Sequence, residues 1–248
     1  MSVKGGDGDD DGGDGDDQGV RLLKGAYALE TPNDNLAYYH DFAHHYDQSF
    51  AKALGYVYPG AVAQRLLASQ FPAGRVLDVG CGTGLVAAHI KTMTQESRQK
   101  SGQELGQELG QAFGHGDLTI DGVDLSPEML AVAAQKQLYD QLYEADLTGD
   151  LSALGQNYAA IVSAGTFTHG HLGPAPLAGL INCCRAGAVG VIGVNAQHHE
   201  AHNFGAFMKD LAARGRITQL SYDEVLIYDG QDQEHAGDTA LIMNFLIS

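Results

Sequence analysis

The segment that most constrains this chain is Arg75-Val76-Leu77-Asp78-Val79, followed by Gly80-Cys81-Gly82-Thr83-Gly84 and a helical-looking run from Leu85 to Met93. A short β-branched stretch, a turn with glycine at every second position and an apolar-periodic helix make a strand–loop–helix unit. In such a unit the start of the helix presents unpaired amides at the carboxyl edge of a sheet, and the glycines let a ligand approach the backbone closely. The spacing argues against a dinucleotide. The fingerprint G-x-G-x-x-G, counted from Gly80, wants a third glycine where this chain has Leu85. A carboxylate at Asp78 would also repel a pyrophosphate, whereas it would attract an ammonium.

The alternation continues on both sides of this unit. Thr31-Pro32-Asn33-Asp34 carries a capping residue, a proline at the first helical position and an acid, so a helix is expected to start there. Tyr39, Ala43, Tyr46 and Phe50 then fall on one face of it. A second helix is expected over Gly60–Gln70. Further strands are expected over Leu118–Asp124, Leu142–Ala145, Tyr158–Ala164 and Val189–Val194, with helices over Pro127–Gln137 and Pro174–Arg185 between them. A helix from about His199 to Arg214 then precedes two strands, Ile217–Asp229 and Thr239–Ile247, joined by a connection containing Gly and Asp. Strands alternating with helices imply an α/β fold with a doubly wound, mostly parallel sheet, here of seven strands, and the last two strands read as an added antiparallel hairpin.

Composition limits the partners. Against 31 acids stand 14 Lys and Arg, for a net charge of −17, which disfavours nucleic acid and anionic lipid. No apolar run approaches the ~18 residues of a membrane span. Three cysteines, two of them adjacent as Cys183 and Cys184 at the end of a predicted helix, do not make a disulfide framework; core packing in a reducing cytosol is expected. Residues 1–20 hold seven Asp and seven Gly and are expected to be a disordered acidic tail. Asp7, Asp9, Asp11 and Gly12 fit the start of a calcium loop, but position twelve is Gln18. Residues 94–117 are polar and repeat Gly-Gln-Glu-Leu in tandem, the pattern of an exposed insertion. His198, His199 and His202 have helical ligand spacing without the Glu of a H-E-x-x-H site, so zinc is not expected.

From about residue 34 to 248 the chain resembles the class I S-adenosylmethionine-dependent methyltransferases, whose first motif reads much like Asp78-Val79-Gly80-Cys81-Gly82-Thr83-Gly84. The resemblance implies a Rossmann-like methyltransferase fold. It also implies S-adenosylmethionine as cofactor, with Gly80, Cys81, Gly82 and Gly84 under its methionine part and Asp78 acting on its amino group. A ribose acid is then due at the end of the next strand, and Asp124 stands there; the 40-residue gap from Gly84, against a usual ~20, is accounted for by the insertion. Leu125 and Met129 would face the adenine, with core packing the alternative for Met129. In Glu144-Ala145-Asp146-Leu147 the resemblance puts Asp146 at the adenine amino group, with Leu147 beside it. Ser163, in Ser163-Ala164-Gly165-Thr166-Phe167-Thr168-His169-Gly170-His171, opens the segment where substrate should meet the methyl group.

His169 and His171 are candidates for a general base, because imidazole titrates near neutral pH; the alternative is a polar loop without a catalytic role. The segment lacks the Asn or Asp followed by Pro-Pro-aromatic found in family members that methylate amino groups of nucleobases or glutamine. The helix bearing Tyr39 and Tyr46 is similar to the lid of many small-molecule methyltransferases, so residues 31–72 are expected to cover the cofactor and exclude water. Together with the Thr-His-Gly-His segment it is loosely similar to the Williams–Beuren-region methyltransferase-like proteins. The expectation is a cytoplasmic enzyme whose methyltransferase domain spans 21–248 and which methylates a small molecule. The rival is a non-catalytic module that binds S-adenosylmethionine or a partner.

Overall fold

Strand β1 (Val76–Val79) is buried at all four positions. That is why three of its four residues are apolar, Asp78 being the exception: a central parallel strand is covered on both faces. In the computed structural model, which describes residues 43, 46–47, 55–104, 118–168, 172–229 and 237–248, β1 lies between β2 (Ile120–Asp124) and β4 (Tyr158–Phe167), parallel to both. Beyond β2 lies β3 (Gln141–Glu144), and beyond β4 lies β5 (Cys184–Asn195), again parallel. The sheet is completed by β7 (Thr239–Ile247), antiparallel to β5, and β6 (Ile217–Leu226), antiparallel to β7. The order is β3-β2-β1-β4-β5-β7-β6. The chain runs outward from β1 through β2 to β3 and then returns to β4, so the order reverses between β1 and β4. In open α/β sheets that reversal opens a crevice at the carboxyl ends of the strands.

Helices cover both faces. Leu77 and Val79 belong to one apolar cluster with Leu177 and Leu180 of α4 (Pro176–Asn182) and with Phe204 and Met208 of α6 (Phe204–Ala213). Val76 belongs to the other, with Val62 and Leu66 of α1 (Tyr58–Ala68) and Val86 and Ile90 of α2 (Leu85–Glu104). The split follows the two-residue period of a strand. Helix α3 (Pro127–Gln135) starts as its sequence requires: Pro127 follows Ser126, whose hydroxyl accepts the Met129 amide at 3.2 Å.

Several boundaries shift by a few residues from the sequence-based expectation, and four differences bear on the architecture. Helix α2 continues to Glu104, through the start of the expected insertion, since no glycine interrupts it before Gly102; residues 95–99 on it are exposed, and 105–117 lie outside the described residues. Strand β4 extends past Ala164 to Phe167, with an irregular register and a left-handed Gly165. Helix α4 ends at Asn182, Cys183 caps it, and Cys184 already begins β5; the three cysteines are free. The helix expected over 199–214 is two, α5 (Ala196–Ala201) and α6. Asn203, at φ 56°, turns the chain between them in the left-handed region that asparagine tolerates. Most of 31–50, including Tyr39 and Phe50, and all of 1–20 lie outside the described residues.

Candidate active site

The crevice at the β1–β4 reversal is floored by the glycine turn. Gly80 and Gly82 have φ of 62° and 51°, which side-chain-bearing residues rarely adopt. A Cβ on Gly80 would also collide with Thr166 Oγ1, so the turn is pressed against the end of β4. A Cβ on Gly82 would meet no described atom within 4 Å. The backbone there faces open space, and the missing side chain is a cradle for a ligand.

Asp124 ends β2 and reaches this turn. Its Oδ2 accepts the Gly82 amide at 2.8 Å and its Oδ1 the Ser126 amide at 2.9 Å. Burial pushes the carboxyl pKa up, and the Ser126, Gly82 and Leu125 amides work in the opposite direction. Leu125, Met129, Asp146 and Leu147 complete this side of the cavity. Asp146 is exposed, and its Oδ1 accepts both the amide and the hydroxyl of Thr148, at 2.8 and 2.7 Å; these bonds hold its pKa below the usual range. Glu144, two residues earlier, is exposed and does not line the cavity.

Asp78 is 1% exposed and lies behind the turn rather than on the cavity wall. Tyr139 donates its hydroxyl to Oδ2 at 2.7 Å, while Oδ1 has no hydrogen-bond partner among the described residues. Burial raises the Asp78 pKa to about 7, with the Asp124 charge adding to it; the Tyr139 bond and the nearby Ala87 amide favour the charged form but only partly offset this. Ser163 is fully buried and also off the wall. Its Oγ lies 2.8 Å from the Val79 carbonyl and 2.9 Å from Thr166 Oγ1, bracing β4 against the base of the turn. Cys81 lines the cavity with a thiol whose pKa burial pushes well up, so it is neutral.

The lining also includes an aromatic and aliphatic set, Tyr46, Tyr56, Pro59 and Leu172, together with Ala164–Thr166 from the end of β4. Tyr46 is half-buried, and its neighbour Asp47 is tied to the turn, with Thr83 Oγ1 donating to Oδ1 at 2.6 Å and Lys136 Nζ paired with Oδ2. Tyr56 packs on Tyr58 and Tyr228, with ring centroids 6.2 and 5.5 Å away. His198, at the start of α5, sits 2.9 Å through Nε2 from the Leu172 carbonyl, and its ring lies 4.1 Å from that of His202. Among the described residues no group of three His, Cys, Asp or Glu is placed to hold a metal.

The fold therefore brings Tyr46, Gly80, Cys81, Gly82, Asp124, Leu125, Met129, Asp146 and Leu147 around one cavity. Asp78, Gly84 and Ser163 support it from behind, and Tyr39, His169 and His171 lie outside the described residues. Sequence reading missed Tyr139, Thr83, Lys136, Tyr56 and Leu172. Thr83 stands inside the glycine motif without an expected role; the other four belong to no motif, and only the folded chain brings them to the turn or the cavity.

Residues 42–216 match the family of methyltransferase domains. Among curated proteins no sequence relative was found. Similar solved structures include a TehB-like SAM-dependent methyltransferase from Corynebacterium glutamicum, at 21% identity over 86% of this chain and 99% of that one, with a TM-score of 0.52. A putative S-adenosyl-L-methionine-dependent methyltransferase from Methanococcus maripaludis is 16% identical over 86% and 93%, with a TM-score of 0.51. DhpI in complex with SAH is 18% identical over 86% and 95%, with a TM-score of 0.53.

Proposed function

Since the chain belongs to the family of methyltransferase domains and is an S-adenosylmethionine-dependent enzyme of that kind, we propose that it methylates a small molecule with an apolar body in the cavity above the glycine turn. The observation that carries this is the meeting of Asp124 with Gly82, which sets a carboxylate for a ribose diol at the lip of an open backbone cradle. The residues fit the cofactor. Gly80, Cys81, Gly82 and Gly84 would pass under its methionine part, and Asp78 has a buried oxygen, Oδ1, left to accept its ammonium. Leu125 and Met129 would cover the adenine faces, with Asp146 and Leu147 at its edge. Ser163 would act indirectly by holding β4 to the turn.

When bound, the cofactor supplies a methyl group on a positively charged sulfur. The chain's own contribution is alignment and exclusion of water, which such a transfer chiefly needs. Tyr46, with Tyr39 from the same segment, would close over the cavity, and the Asp47–Thr83 bond would hold that segment down. Tyr56, Pro59 and Leu172 give the acceptor an aromatic and aliphatic wall, which suits a small molecule better than a charged polymer. His169 and His171 follow β4, whose end lines the cavity, and either would take the acceptor's proton as a general base. We read residues 21–248 as the catalytic domain, 31–72 as its lid and 1–20 as an acidic tail outside it. No helix among the described residues is long and apolar enough to cross a membrane, and three free thiols suit a reducing cytosol.

Calorimetric titration with S-adenosylhomocysteine and NAD, followed by a screen of metabolite pools for S-adenosylhomocysteine release, tests this. Binding of the first ligand alone, with turnover on a small-molecule fraction, is expected. NAD binding without S-adenosylhomocysteine binding overturns the assignment. In the active system, His169→Ala or His171→Ala should lower turnover by roughly 10²-fold and remove the acidic limb of the rate profile, with cofactor affinity unchanged.

A further inference from the structure

Tyr139 belongs to no motif and does not line the cavity, yet it touches the glycine turn and its buried acid at once. It lies between α3 and β3, and its hydroxyl donates to Asp78 Oδ2 at 2.7 Å. Its ring fills the space left by two glycines: a Cβ on Gly84 would stand 3.0 Å from its Cε2, and one on Gly122 would stand 3.1 Å from its Cε1. Gly122 is the β2 partner of Asp78 across the sheet. The phenol is thus held between the glycine turn that follows Asp78 and the strand, β2, that ends in Asp124.

We propose that Tyr139 is a positioning residue for cofactor binding: by occupying Oδ2 it keeps Asp78 ionised and leaves Oδ1, buried behind the glycine turn without a hydrogen-bond partner among the described residues, as the counter-charge for the ammonium of the bound cofactor. The proposal rests on the methyltransferase reading above. A hydrogen bond to the charged form favours ionisation, and here it opposes the burial that pushes Asp78 up to about 7. Among the described residues, the titratable groups facing Asp78 are Tyr139, Asp124 at the end of β2 and Cys81 in the turn. Asp124 pushes the pKa up; the Cys81 thiol, itself held neutral, adds no charge near pH 7. Helix α2 offers the Ala87 amide, and β4 sets Val162 beside Asp78. Binding of an ammonium needs the carboxylate, so affinity is full above the Asp78 pKa and is lost as pH falls through it.

The test is titration of wild type and Tyr139→Phe with S-adenosylhomocysteine from about pH 6 to about pH 8. In wild type, affinity should fall toward tenfold per unit on the acid side of about pH 7. Tyr139→Phe keeps the ring under Gly84 and Gly122, so it should remain folded and melt only a few degrees below wild type. Its acid limb should move up by about one unit, because the charged carboxylate has lost its donor, so its affinity should drop roughly threefold at about pH 7.5 and toward tenfold at about pH 6. A merely structural tyrosine would not move that limb. In Asp78→Asn the limb should vanish. A wild-type affinity flat across this range, or a Tyr139→Phe profile superimposable on wild type, overturns the proposal while leaving the cofactor assignment intact. Failure of wild type to bind at any pH overturns both.

Discussion

Asp124 and Gly82, 42 residues apart in the sequence, meet in a 2.8 Å hydrogen bond from the loop amide to the carboxylate. The acid at the end of β2 and the glycine turn after β1 therefore form one unit. Its other oxygen holds the Ser126 amide at the start of α3, so a single carboxylate orders the turn and the helix cap together.

Asp124→Ala strips the acceptor from both amides and, in the function proposed above, from the ribose diol. S-adenosylhomocysteine affinity should fall by roughly 1–3 kcal/mol, about fivefold to 150-fold, measured by calorimetry. An affinity equal to wild type would remove Asp124 from the site.

Asp47 links the segment bearing Tyr46 to Thr83 of the turn and to Lys136 just past α3. The ion pair is about one-third exposed on the Asp47 side, and pairs of that kind contribute only ~0–1 kcal/mol to folding. Asp47→Ala should therefore shift the melting temperature little. If the contact holds the segment over the cavity, stopped-flow dissociation of S-adenosylhomocysteine should accelerate several-fold. Dissociation at the wild-type rate would show that the contact does not retain the ligand.

Most of this site was legible because its parts lie in contiguous motifs. Residues 78–84 announce a turn with glycines at alternate positions, Ser126-Pro127 announces a helix start, and the β-branched runs give the sheet. What sequence could not supply were partners chosen by the fold. Tyr139 reaches Asp78 only because β3 lies beside β2, and Tyr56 reaches the cavity through its bridge to Tyr228. Ser163, expected at the ligand, is turned inward to the Val79 carbonyl, since the irregular end of β4 presents Ala164–Thr166 instead. Helix ends were missed where one residue decides them, as at Asn203, whose left-handed backbone breaks an otherwise periodic stretch.

At the amino-terminal end of β2, away from the cavity, Asp121 is 1% exposed and accepts Arg75 Nε at 2.7 Å, a second Arg75 nitrogen, the Tyr158 hydroxyl at 2.9 Å and the Gln141 amide at 3.1 Å. It staples β2 to β3 and β4 from the side opposite the ligand. Asp121→Ala leaves these donors without their acceptor and should cost roughly 3 kcal/mol. For a chain of this size that lowers the melting temperature by about 6–12 °C. S-adenosylhomocysteine affinity, measured well below the transition, should not change. Lost affinity in a folded variant would mean that the two ends of β2 are coupled.

Asp78 makes the last prediction, because the property that suits it to a ligand works against the fold. Its native pKa of about 7 lies above the 3.8 of an unperturbed aspartate, so the native state binds this proton more tightly than the unfolded chain does. The resulting stabilisation is complete below about pH 4 and is lost as pH rises through about 7. Above that the native protein carries a buried charge, at an upper cost of ~4 kcal/mol by the conversion of pKa shifts to free energy. Asp78→Asn keeps the shape and still lets Tyr139 donate to the side-chain oxygen, but its amide hydrogens sit where Oδ1 has no partner, which returns roughly 1–3 kcal/mol of the gain. The variant without ligand should therefore melt a few degrees above wild type at about pH 8. It should lose that advantage toward about pH 5, where wild-type Asp78 is protonated. S-adenosylhomocysteine should meanwhile bind it at least tenfold more weakly, since the ammonium has lost its counter-charge. Melting curves of both proteins across this range decide the matter: an Asn variant less stable than wild type at the alkaline end would mean that Asp78 is held as a stabilised anion without its ligand.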